Sequence, residues 1–76
     1  MKRYLVIFEK SETGYGAYVP DLPGVGVSGN TLEETEQLIY EAIEFHIEGL
    51  IEDGIPIPEP STTAEVMGIR TKELSY

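Results

Sequence analysis

Residues 24–34 read GVGVSGNTLEE. Taken literally, the first six match G-x-G-x-x-G, and a helix-like pattern follows, as in a dinucleotide-binding loop. That motif needs a strand running into the glycines, with the pyrophosphate resting on the helix N-terminus. Here residues 20–24, PDLPG, are a proline-bracketed turn, and Pro20 and Pro23 cannot donate to a ladder. Valine and glycine alternate over residues 25–28 with the period of a strand. Glu33, Glu34 and Glu36 would repel a phosphate at the helix start. A chain of 76 residues also cannot hold the double βαβαβ fold. The stretch therefore reads as a short irregular strand followed by a helix. Val25 and Val27 face the core, and Gly26 permits close approach on the other side. No cofactor is expected.

The helix begins at a capping box, with Thr31 followed by Glu34 in the S/T-x-x-E spacing. Leu32, Thr35, Leu38, Ile39, Ala42, Ile43, His46, Ile47, Leu50 and Ile51 then recur at helical spacing. Gly54 is the expected residue just past the helix end. IPIPEP, residues 55–60, reads as a stiff extended linker, and TTAEVMGI, residues 62–69, as a final strand.

Upstream, residues 3–9, RYLVIFE, form a strand with Tyr4, Val6 and Phe8 on one face and Leu5 and Ile7 on the other. Both faces are apolar, so both should be covered, and one helix covers only one of them. KSETG is a turn, and YGAYV, residues 15–19, pairs back as an antiparallel hairpin. Tyr15 and Tyr18 fall on opposite faces; one belongs to the core and the other is free to anchor an interface. The expected class is α+β, in the order β-β-β-α-β. A single domain spans residues 1–69, and residues 70–76 form a polar tail.

Composition narrows the function. The chain has no cysteine, which suits a reducing compartment, and is small enough to expect oligomerisation or a partner to complete its core. The N-terminal apolar run is too short for a signal peptide or a membrane span, so a cytoplasmic location and no membrane partner are expected. Fourteen acidic residues against five basic ones give a net charge of -9. Such a chain repels nucleic acid and attracts something basic.

Candidate chemistry is sparse. His46 is the single histidine and lies on the apolar helix face, where a structural role is expected. With no cysteine and one histidine a usual zinc site is excluded, and no calcium loop is present. An Mg²⁺-dependent enzyme would need converging carboxylates, and the candidates are Glu9, Glu65 and Asp21; no catalytic residue, metal or enzymatic activity is expected. The helical acids stand out. Glu33, Glu34, Glu36, Glu41, Glu44, Glu48, Glu52 and Asp53 lie in a stretch without Lys or Arg. Pairs such as Glu41 with Glu44 or Glu48 cost stability, which a basic partner would recover. Plain solvation of an acidic face is the alternative.

Residues 8–58, with GYGAYVPDLPG, a short strand, GNTLEE, the amphipathic helix and DG-x-P-x-P in order, resemble the HicB antitoxin family. The resemblance implies a partial ribonuclease-H-like fold without its catalytic carboxylates, with the fourth strand beside the first. It implies a partner as well, a small basic HicA-type mRNA-cleaving toxin whose catalytic histidine and RNA surface the antitoxin covers. The chain departs from the pattern at Val25, where members often have cysteine. It also leaves too few residues after the fourth strand for the helix-turn-helix or ribbon-helix-helix that many members carry, so direct DNA binding is not expected. The expected partner-binding residues are Tyr18, Asp21 and Pro23 in the loop region and Glu41, Glu44 and Glu48 on the helix. A homo-oligomer, dimer or tetramer, is expected too. The alternative function is a stand-alone oligomeric interaction module with no toxin.

Overall fold

The two upstream strand patterns pair as a hairpin in the computed structural model, which describes residues 1–72. Strand β1 spans Ile7–Lys10, β2 Tyr15–Tyr18 and β3 Gly26–Gly29, and helix α1 spans Leu32–Glu52. The strands form an antiparallel meander in the order β1-β2-β3. β1 is shorter than its apolar run because continuing the register would set Leu5 opposite Pro20, which has no N–H to offer.

Phe8 lies opposite Ala17, and Ala17 opposite Val27, so these three form a row on the face that α1 covers. Buried Ala17, Val19, Leu22, Val25 and Ile39 make the core, with Tyr4, Val6, Phe8, Ala42 and Ile43 packed against it. The opposite face carries Ile7, Tyr18 and Gly26 in a row. No helix or strand among the described residues lies on that face, although its apolar residues predicted a cover. The register also settles the two tyrosines: Tyr15 shares the face of Ala17, and Tyr18 is 41% exposed on the open face.

The three glycines of the opening motif have structural roles. Gly24 closes the turn at φ +88, a conformation that favours glycine. Gly26 sits in β3 with the Ala17 carbonyl beside it. At Gly29 an added Cβ would lie 2.6 Å from Thr35 Oγ1, so the missing side chain lets the first turn of the helix pack directly on the strand end. Thr35 is fully buried and donates its hydroxyl to the Thr31 carbonyl at 2.7 Å.

The helix ends follow the sequence closely. Glu34 N–H donates to Thr31 Oγ1 at 3.1 Å. The Glu34 carboxylate reaches back to accept from Asn30 N–H, one residue before the cap, at 2.5 Å. At the other end Gly54 takes φ +67; its N–H donates to Ile51 O and Ile55 N–H to Leu50 O, the paired bonds of a Schellman motif.

Two readings change. Residues 55–60 are not a free linker: Ile57, Pro58 and Pro60 are half-buried, Tyr4 donates its hydroxyl to the Pro58 carbonyl, and Lys2 pairs with Glu59. Residues 62–69 do not form the expected fourth strand; every one is exposed, and none pairs with a strand among the described residues. The chain passes the start of β1 and is then fastened at Asp21. Of the polar tail, residues 70–72 are exposed, and residues 73–76 lie outside the described residues.

Candidate functional site

The expected partner-binding residues separate into different surfaces. Tyr18 is on the open face of the sheet and the helical acids are on the element that covers the other face, so the sheet stands between them. Pro23 is exposed in the turn between β2 and β3.

Asp21, in the same turn, is engaged within the chain. Its carboxylate accepts from the backbone N–H groups of Ser61 and Thr62, each at 2.9 Å, and from both their hydroxyls, at 3.2 and 2.6 Å. Hydrogen bonds from the Thr62 side chain and backbone, with those from Ser61, lower its pKa to about 2. Because the folded-state value lies below the ordinary 3.8, the stability this latch contributes is complete above that value. It is lost as pH falls through about 2. In Asp21→Asn the carboxylate is gone at every pH, so the amides of Ser61 and Thr62 should exchange faster at pH 7. Unchanged hydrogen exchange at those two amides would show that the latch is not formed in solution.

On the helix, Glu41 is exposed and accepts from Gln37 Nε2 at 2.9 Å. Glu44 and Glu48 rim an apolar groove of about 430 Å³ between the helix, the N-terminus and the proline segment, with Tyr4, Ile43, Ile47 and Ile57 as its floor. Further along, Phe45, Glu48, Gly49, Glu52 and Asp53 line a second hollow of about 360 Å³. Phe45 is 78% exposed, an aromatic ring on the polar side of an amphipathic helix.

That second hollow escaped the sequence reading, although its signal was present. Phe45 is out of phase with the apolar stripe, and Gly49 interrupts a strong helix. A mid-helix glycine costs about 1 kcal/mol relative to alanine. Apart from the helix's own adjoining backbone, no atom lies within 4 Å of where its Cβ would be, so packing does not require the glycine. The acids of the hollow stand at the helix C-terminus, where the macrodipole is already negative, and the last turn contains no basic residue. The hollow is thus an aromatic wall beside a concentrated negative field. It suits a cationic side chain, which the ring face and the carboxylates would both attract.

The described residues contain no group of three His, Asp or Glu side chains able to hold a metal ion, and Glu9, Glu65 and Asp21 are not brought together as such a group. Among the described residues no helix is long and apolar enough to cross a membrane.

The three-stranded meander with one covering helix defines a small α+β domain with an acidic helical face. The profile of the HicB-like antitoxins of bacterial toxin–antitoxin systems matches residues 4–73, and the chain belongs to that family. Antitoxin HicB 2 of Photorhabdus laumondii is 38% identical over 63 residues, 83% of this chain and 45% of that one. A protein from the rep–hol intergenic region of Haemophilus phage HP1 is 45% identical over 56 residues, 74% of this chain and 42% of its own length. A UPF0150 protein of Synechocystis is 40% identical over 67 residues, 87% of this chain and 85% of that one. The chain therefore spans less than half of the first two relatives and most of the third. Among solved structures, a chain of the HicA3 and HicB3 toxin–antitoxin complex superposes with a TM-score of 0.66 at 33% identity, covering 79% of this chain and 70% of that one.

Proposed function

We propose that the protein is an antitoxin that binds a small basic toxin of the HicA type and silences it by covering its RNA-cleaving site, without catalysis of its own. The observation that carries this reading is the exposed Phe45 beside Glu48, Glu52 and Asp53 on a helix without a single Lys or Arg. An aromatic anchor within a charged rim is the anatomy of an interface hot spot, and the like-charge strain of the free helix is relieved by a cationic partner. Family membership and the fold shared with the HicB3 chain of a toxin–antitoxin complex support the same conclusion. The acidic surface would also speed the encounter at low salt and exclude nucleic acid from the same face.

The test is a co-purification of the tagged protein from its native host, washed at low and at high salt, followed by an RNA-cleavage assay on the captured partner. A small basic ribonuclease, retained at low salt, loosened at high salt and inhibited when the protein is added back in stoichiometric amount, is the expected result. A captured ribonuclease that cleaves RNA undiminished under saturating protein would end the proposal. So would an empty lane at low salt from folded protein.

A further inference from the structure

We propose that residues 62–70 are an exchange arm, which pairs as a strand with the outer edge of β1 in a second copy of this chain and gives a closed two-fold dimer. The arm reads TTAEVMGIR, rich in β-branched residues, with Ala64 and Val66 on one side of an extended chain and Met67 and Ile69 on the other. Such a segment is covered on both faces in ordinary proteins. Here Val66 is 100% exposed and Met67 and Ile69 66% each. No backbone-to-backbone hydrogen bond involves residues 63–69 among the described residues. The radius of gyration is 15.9 Å, against roughly 11 Å for a compact chain of this length, and the longest extent is 56 Å.

The place that fits the arm is the edge of β1. The sheet order leaves that edge without a neighbour. The helix backbone lies closer to β2 and β3 than to β1, and the apolar groove of Tyr4, Ile43, Ile47 and Ile57 lies between the helix and the segment that leads into β1. A strand added to β1 places alternate side chains into this groove, while the others extend the open face of Ile7 and Tyr18. The chain's own arm does not pair with this edge, and the Asp21 latch at Ser61 and Thr62 fixes its departure at the β2–β3 turn.

Charge selects the occupant. Residues 1–61 carry twelve acids and three bases, so two such bodies repel. The arm itself is neutral, with Arg70 against Glu65, and Lys72 follows it, so it approaches Glu44 and Glu48 at the groove rim without the repulsion that opposes the two acidic bodies. Reciprocal exchange closes the assembly, since each copy then donates one arm and fills one edge.

The experiment compares the full chain with Val66→Asp/Ile69→Asp by sedimentation equilibrium and hydrogen exchange. Both substitutions lie outside the core, and far-UV circular dichroism checks that the helix remains. The wild type is expected to be a dimer at tens of micromolar, with amides of residues 63–69 and of the outer edge of β1 protected together. The double variant should dimerise at least about 30-fold more weakly and lose both protections at once. A monomeric wild type at about 0.1 mM overturns the proposal. A dimer that survives the double substitution does the same. Arm protection without β1 protection overturns the placement on β1. Neither Val66 nor Ile69 lines the hollow of Phe45 and Glu52, so a dimer defect in the double variant with partner binding retained separates this inference from the antitoxin reading.

Discussion

Glu48→Lys/Glu52→Lys is expected to bind the proposed basic toxin at least about 100-fold more weakly, about 2.7 kcal/mol, while the free protein melts at the same temperature or higher. The two effects have opposite signs for one reason. In the free chain both glutamates sit near the negative end of the helix dipole with further acids around them, and lysine there is favourable by roughly 0.3–1 kcal/mol each. In the complex the same substitution sets like charges against a basic partner in a partly desolvated hollow. Phe45→Ala should also weaken binding, by about 1–3 kcal/mol, with little change in melting because the ring is largely in water already. Calorimetric titration at low salt, with a thermal melt of each variant, checks all of this. Equal affinity for the wild type and the lysine variant would remove the helical hollow from the interface. A loss of affinity that tracks loss of fold would remove the electrostatic argument.

Leu22→Ala should be the most damaging single substitution in the fold. Leu22 has no exposed surface and lies inside the turn between β2 and β3. Three backbone bonds shape that turn: Leu22 N–H to Val19 O, Val25 N–H to Leu22 O, and Val19 N–H to Val25 O. Truncating such a leucine costs about 2–5 kcal/mol, counting the cavity left behind. The whole domain is expected to have a stability of about 4–11 kcal/mol. A melting temperature lower by more than about 10 °C follows. Pro23→Ala, one residue away but exposed, should cost less than about 1 kcal/mol. Similar losses for the two variants, in urea or thermal unfolding, would show that the turn is not seated in the core as described.

Local chemistry, complete within a few residues, was legible in the sequence. The valine–glycine alternation, the Thr31 cap, the helical apolar stripe and the Gly54 end each depend on neighbours along the chain, so the meander and the helix followed from pattern alone. The resemblance read from residues 8–58 led to the family that the profile match then showed. The density of acids on one element was legible as well.

Tertiary structure decided what depends on distant segments. PDLPG reads as an exposed turn, yet Leu22 is fully buried, because it joins the core cluster that contains Ile39 of the helix. Asp21 reads as a surface acid, yet residues forty positions away occupy its carboxylate. Residues 62–69 have the pattern of a strand, but a pattern only states that a segment can pair. Pairing needs an open edge within reach, and in its own chain this segment departs from the Asp21 latch and does not pair with the edge of β1. Periodicity records which side of an element is apolar; only the packing of one element on another determines what that side meets.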